Sequence, residues 1–203
     1  LSQFIRSIYS YNTKYDEGIE ITNDIFVYFP NFTAEENLGK DIFNGKLTPE
    51  AIGTCITCHL PNNVPLHFDQ PVPDNANQVI FSGAEEDNIG LDIDLNVEDN
   101  GVGAILGVIS LYGHFKTPSL RNIELTGPYM HDGRLATLEE VVEHYSTGVL
   151  AHPYLSAHMK NSQGEPRHLE LTTEESAALV AFLKTLTDYD LISDEKFSDP
   201  FIN

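Results

Sequence analysis

The chain has 203 residues with 11 Lys+Arg against 31 Asp+Glu, a formal net charge of −20. That balance excludes nucleic acid as a natural partner and opposes binding to anionic membrane; it would steer a basic redox partner towards the chain, or serve only as a solvated acidic surface that keeps it soluble. The hydrophobic fraction of 41% is ample for a core, and no apolar run approaches the ~18 residues needed to span a bilayer.

Leu1, Phe4, Ile5 and Ile8 fall at i, i+3, i+4, i+7 and predict one face of a helix that starts in mid-pattern. Such a start suggests that sequence preceded Leu1. Tyr9 to Pro30 reads as a polar, aromatic-dotted connector. Thr33-Ala34-Glu35-Glu36 is a capping box opening a helix with Ala34, Leu38 and Ile42 on one side, ending near Asn44-Gly45. Residues 47–53 read as a short capped helix closed by a glycine break.

Cys55-Ile56-Thr57-Cys58-His59 follows. C-x-x-C-H is what covalent haem attachment requires: each thiol adds to one vinyl group, and the adjacent imidazole ligates iron. No other cysteine is present. A structural zinc site needs about four ligands, and no second Cys/His pair stands at comparable spacing. A thioredoxin-type dithiol should follow a strand in a βαβ context, and none is signalled. Thioether haem is attached outside the cytoplasm, so a periplasmic location with a removed targeting segment is expected.

From Leu60 to about Leu106 helical period is weak and turn formers abound. Asp92-Ile93-Asp94-Leu95-Asn96 invites a calcium loop, but Val97 stands where the turn glycine belongs and Gly103 where the bidentate glutamate belongs, so an EF-hand is rejected. Residues 115–134, FKTPSLRNIELTGPYMHDGR, concentrate turn formers and potential ligands in one loop. Thr137-Leu138-Glu139-Glu140 then caps a helix whose Leu138, Val141, Val142 and Tyr145 share a face before Gly148. Thr172-Thr173-Glu174-Glu175 opens the last helix, with Leu179, Phe182, Leu183 and Leu186 inward. The class is all-α with long irregular loops.

CITCH, FKTPSLRN, GPYMHDG, TLEEVVEHY and LTTEESAALVAFLKTLT, in this order, resemble the C-terminal haem domain of the bacterial di-haem cytochrome c peroxidase and MauG superfamily. The resemblance covers roughly Thr33 to Thr187, and Leu1 to Gly18 resembles the exit of the family's N-terminal haem domain. It implies residues 1–30 as the end of a preceding haem domain plus connector, 31–190 as a c-type haem domain and 191–203 as a tail.

Residue by residue, the resemblance implies one covalent haem c on Cys55 and Cys58, with His59 as proximal iron ligand. The distal position, fourteen residues after His131, holds Tyr145, as in MauG-like members; Met130 is the competing ligand, and the helix face alone equally accommodates a core tyrosine. His131 is expected close to the haem, in an electron path or hydrogen-bonding role, and Arg121 and Arg134 are candidates for the propionates. The backbone carbonyls of Thr126 and Pro128 match calcium ligands whose third protein partner belongs to the N-terminal domain. The remaining histidines, at 67, 114, 144, 152, 158 and 168, read as surface or packing groups, and Met159 as part of a polar loop. The implied partners are an N-terminal haem domain or second haem chain, hydrogen peroxide, and a small redox donor or protein substrate. The implied function is the six-coordinate electron-transfer haem of a peroxide-dependent oxidoreductase; the alternative is a mono-haem electron-transfer protein without turnover.

Overall fold

The computed structural model describes residues 1–46, 54–60, 86–95, 99–199 and 201. Residues 47–53, His67, Val97 and Asn96, which figure in the expectations above, lie outside them. The fold is all-α, with helices joined by long irregular segments and a single two-stranded ribbon among the described residues.

The main core forms where helix α3, Ala34–Phe43, crosses helix α7, Thr173–Lys184. Both begin at the predicted capping boxes: Thr33 Oγ1 accepts from the Glu36 amide, and Thr172 Oγ1 from that of Glu175. Gly39 lets the helices approach, since a Cβ there would lie 1.9 Å from the Ala178 carbonyl oxygen. Leu179, Phe182, Leu183 and Leu186 are buried, as the periodicity requires.

Residues 13–32 pack into this same core, where a connector was expected. Helix α2, Lys14–Thr22, starts at a capping box built on Thr13 and Asp16. Asp in place of Glu or Gln at the third helical position, and the Glu17 and Glu20 that dilute the pattern, hid this helix. Tyr15 and Phe29 pack on each other with ring centroids 5.5 Å apart, and Tyr15 meets Phe182 at 6.0 Å. Lys40 is wholly buried and ties the segment down: its Nζ donates to the carbonyls of Ile25 at 3.0 Å and Val27 at 2.7 Å and lies 4.7 Å over the Phe29 ring. Burial pushes its pKa down, against the pull of Asp41.

At the N-terminus helix α1, Ser2–Ser7, forms as predicted with its apolar side exposed. The haem motif supplies α4, Cys55–Cys58. Strand β1, Glu86–Asp87, pairs antiparallel with β2, Phe115–Lys116, matching Asp87 to Phe115. Helix α5, Gly101–Leu106, lies in the stretch read as non-helical. It shows no amphipathic period because Ala104, Ile105 and Leu106 in succession are exposed, and Gly103 allows contact with Leu111, where a Cβ would come within 2.4 Å of backbone. Helix α6, Leu138–Glu143, begins at the Thr137/Glu140 capping box and packs on α7. The short α8, Tyr189–Ser193, is capped by Asp188.

Candidate haem site

The cavity of about 440 Å³ between α3, α4, α6, α7 and the ribbon falls in the ~300–1,000 Å³ range of cofactor sites. Its lining is largely apolar, with Phe43 from α3, Leu138 and Val142 from α6, and Leu179 and Leu183 from α7.

Cys55, Cys58 and His59 occupy the same wall. Thr54 in extended conformation starts the single turn, and the His59 amide closes it by donating to the Cys55 carbonyl at 2.9 Å. Cysteines at i, i+3 thereby share a helix face. They are not joined in a disulfide. Burial pushes the Cys55 thiol up to about 11, the reverse of the depressed pKa that a redox dithiol needs. Cys58 Sγ lies 3.3 Å from Asp87 Oδ2. His59 Nδ1 stands 3.1 Å from the Pro118 carbonyl, so Nδ1 carries the proton and Nε2 keeps the lone pair a metal requires. The ribbon explains this contact: pairing Asp87 with Phe115 sets the FKTPSLRN loop beside the motif.

Tyr145 lies on a π-helical turn, His144–Gly148, that continues α6. Inserting a π turn re-aims one side chain, and such turns recur at functional sites. The turn is pinned from both sides: the His144 ring donates to the Ile89 carbonyl at 3.0 Å, Leu169 N–H to the Tyr145 carbonyl at 3.1 Å, and Leu171 N–H to Ser146 Oγ at 3.0 Å. Burial holds His144 neutral by pushing its pKa down. Tyr145 lines the cavity, and burial pushes its phenol well above the usual range, with Cys55, Cys58 and Asp87 adding in the same direction.

Met130 also lines the cavity, at a backbone φ of 71° within the turn closed by Tyr129 N–H to the Leu135 carbonyl. His131 sits at the rim, its ring stacked on Phe115 at 3.8 Å. Thr126 and Pro128 lie in an exposed turn. Among the described residues no group of three or more His, Cys, Asp or Glu could hold a metal ion.

The two arginines do not line this cavity. Arg121 forms a paired hydrogen bond with Asp16 at 2.9 and 2.7 Å, tying the FKTPSLRN loop to α2. Arg134 is shared between Asp132 and Asp92. Lys116 and Arg167 are the cations on the cavity wall, and sequence reasoning missed both because neither lies in a distinctive motif. It also missed Met159, which is buried, lines the cavity and packs with Tyr145, Val149 and Leu155. Its surroundings Ser156, His158 and Lys160 read as polar, yet a 3-10 turn over Ala157–Met159 folds it inward. His114 and His152, read as surface or packing groups, are buried, and His152 and His158 reach the cavity wall.

No family model matches the chain. It is 30% identical to cytochrome-c peroxidase IdrP2 of Pseudomonas sp. (strain SCT) over 206 aligned residues, covering 96% of this chain and 49% of that protein. It is 31% identical over 183 residues to methylamine utilization protein MauG of Paracoccus denitrificans, covering 77% of this chain and 43% of the relative. Among solved structures, a MauG-like protein associated with microbial copper homeostasis superposes with a TM-score of 0.65 at 34% identity, over 95% of this chain and 56% of the other. The diheme peroxidase BthA of Burkholderia thailandensis shares the fold, with a TM-score of 0.58 at 21% identity over 90% of this chain and 48% of the other. The chain thus spans about half the length of these relatives.

Proposed function

We propose that this chain, which belongs to the di-haem cytochrome c peroxidase and MauG superfamily, provides a haem c centre that exchanges electrons with a peroxide-reactive haem in a peroxide-dependent oxidoreductase. The observation that carries the reading is the convergence of Cys55, Cys58, His59 and Tyr145 on one largely apolar cavity. Residues 31–190 are taken as the haem domain, with 1–30 leading in from a further haem domain and packing on this core from residue 13, and 191–203 as a tail. Haem, when bound, supplies one-electron chemistry at iron.

The residues of the chain fit that group. Cys55 and Cys58 would hold it by thioether bonds, and Pro118 orients His59 by accepting its Nδ1 proton. In this reading Tyr145 would supply the second donor to iron. Its phenol is far too weak an acid to ionise by itself, and a cation reverses that preference. The π turn holds the residue at the cavity wall, and a hard anionic donor there would favour ferric iron and keep the potential low. His131, stacked on Phe115 at the rim, would carry electrons or hold water near the haem edge. Met130 stays as the competing ligand on the same wall. Thr126 and Pro128 would offer carbonyls to calcium once a further ligand is supplied from outside the chain. A periplasmic site, hydrogen peroxide as oxidant, and a small redox donor or a protein substrate complete the proposal.

The test is to produce the chain with c-type maturation and record intact mass, pyridine haemochrome and ferric EPR for wild type, Tyr145→Phe and Tyr145→Met. One haem per chain is expected in all three. Tyr145→Phe should abolish the tyrosinate-like signal, and Tyr145→Met should raise the reduction potential, because a thioether favours ferrous iron relative to phenolate. Identical ferric spectra in wild type and Tyr145→Phe would remove Tyr145 from the iron and turn attention to Met130.

A further inference from the structure

His152 lines the cavity and is only 6% exposed. Its Nδ1 accepts two hydrogen bonds, from the Tyr154 amide at 3.0 Å and from the Asn88 side-chain NH₂ at 2.9 Å. The Asn88 orientation is set independently. Its Oδ1 accepts from Gly90 N–H at 3.0 Å, and its Nδ2 also donates to the Tyr112 carbonyl at 2.9 Å, so the group facing His152 is the NH₂. An imidazole nitrogen that accepts carries no proton, and the network therefore assigns the proton of His152 to Nε2.

Burial pushes the pKa of His152 down, with nearby His114 acting in the same direction and Asp92 opposing, so the ring is neutral. His114 turns its own Nε2 to Ser156 Oγ at 3.5 Å and does not take the His152 proton. Among the described residues, the ring hydrogen bonds of His152 are all made at Nδ1. Nε2–H meets no acceptor among the described residues, and His152 lines the cavity, so a group entering that space can take this bond.

We propose that His152 is a neutral Nε2–H donor to a carboxylate of the haem periphery, a role that rests on the haem reading above. The apolar macrocycle offers few other acceptors, whereas its two propionates bring four oxygens. The phenol of Tyr145, which packs with Val149 and Leu155 on either side of His152 in the sequence, is the other candidate acceptor, and the ferric EPR signature below separates it from a propionate. Asp92 is itself engaged by Arg134 at 3.0 Å through both carboxylate oxygens. Lys116 and Arg167 also line the cavity and bring positive charge to a lining that holds Asp87, Asp92, Asp94 and Asp99. His152 adds a directional hydrogen bond from a neutral ring.

Two variants separate this from a structural role. In His152→Asn the side-chain carbonyl takes the place of Nδ1 and keeps an acceptor for Tyr154 and Asn88, while the donor toward the cavity is lost. In His152→Gln the amide NH₂ reaches close to the position of Nε2. Holo wild type and both variants are compared by haemochrome content, the propionate bending mode in resonance Raman, ferric EPR and potentiometric titration. His152→Asn should shift the propionate mode and lower the potential, since a less neutralised carboxylate favours ferric iron, with EPR unchanged. His152→Gln should return both towards wild type. An unmoved propionate mode in His152→Asn, equal displacement in both variants, or a changed EPR ligand signature would each overturn the proposal. A wild-type chain that takes up no covalent haem would instead overturn the haem reading on which it rests.

Discussion

Replacing Gly39 with Ala should loosen the helix pair on which the haem cavity stands. A Cβ at Gly39 would lie 1.9 Å from the Ala178 carbonyl oxygen, 2.5 Å from its carbon and 2.8 Å from Phe182 Cβ. Two of these atoms are backbone and cannot rotate away, so α3 and α7 must separate by about 1 Å or more. Overpacking of this kind costs about 1–3 kcal/mol, and contact with rigid backbone argues for the upper end. Ala gains roughly 1 kcal/mol over Gly in a helix interior, which leaves a net loss of about 2 kcal/mol. For a domain of this size that is a fall of about 4–8 °C in Tm. Thermal and urea melts of holo protein, followed by far-UV circular dichroism, measure it. The Soret band should broaden as well, because α7 carries Leu179 and Leu183 into the cavity wall. A Gly39→Ala protein melting at or above wild type would refute the close-approach argument.

Asp16→Asn should cost about 3 kcal/mol, since it leaves Arg121, whose side chain is only 8% exposed, without its carboxylate, yet haem content should be unchanged; a urea melt and a haemochrome assay check the two halves. Asp188 gives a pH prediction. Burial would raise its pKa, but the amides of Leu191, Asn12 and Tyr11 outweigh it and hold the carboxyl below the usual value. A group depressed in the folded state adds stability above its unfolded pKa of about 3.9, and that stability is lost as pH falls through the folded value. Asp188→Asn should therefore weaken the protein at neutral pH and flatten the acid limb of its stability profile below about pH 4. An unchanged acid limb would show that the capping network contributes little.

The helices legible in the sequence were those in which three local signals coincide. Thr33, Thr137 and Thr172 each stand three residues before a glutamate and ahead of an apolar stripe, and each begins a helix there. Helix α2 carries the same box with Asp16, but Asp16 also receives Arg121 from 105 residues away, and that long-range pairing has no local trace. Burial of Tyr15 and Phe29 likewise follows from Lys40 reaching back to two carbonyls, a use of lysine that composition argues against.

At the site the same division holds. Cys55, Cys58 and His59 are adjacent in sequence, so their chemistry is written there. Tyr145 was legible as a position on the inner face of α6, but not the π turn that carries it, which depends on Ser146 bonding Leu171 and on His144 bonding Ile89 across 55 residues. Arg121 and Arg134 were chosen because guanidinium suits carboxylate, and each did find carboxylates: those of Asp16, Asp92 and Asp132 within the chain. With 31 acidic residues, carboxylates of the chain outnumber those any cofactor could bring. Residue type predicts the kind of partner, and only the fold decides which one. His152 follows the same rule from the other side, because its own chain uses Nδ1 and leaves the proton on Nε2 to whatever enters the cavity.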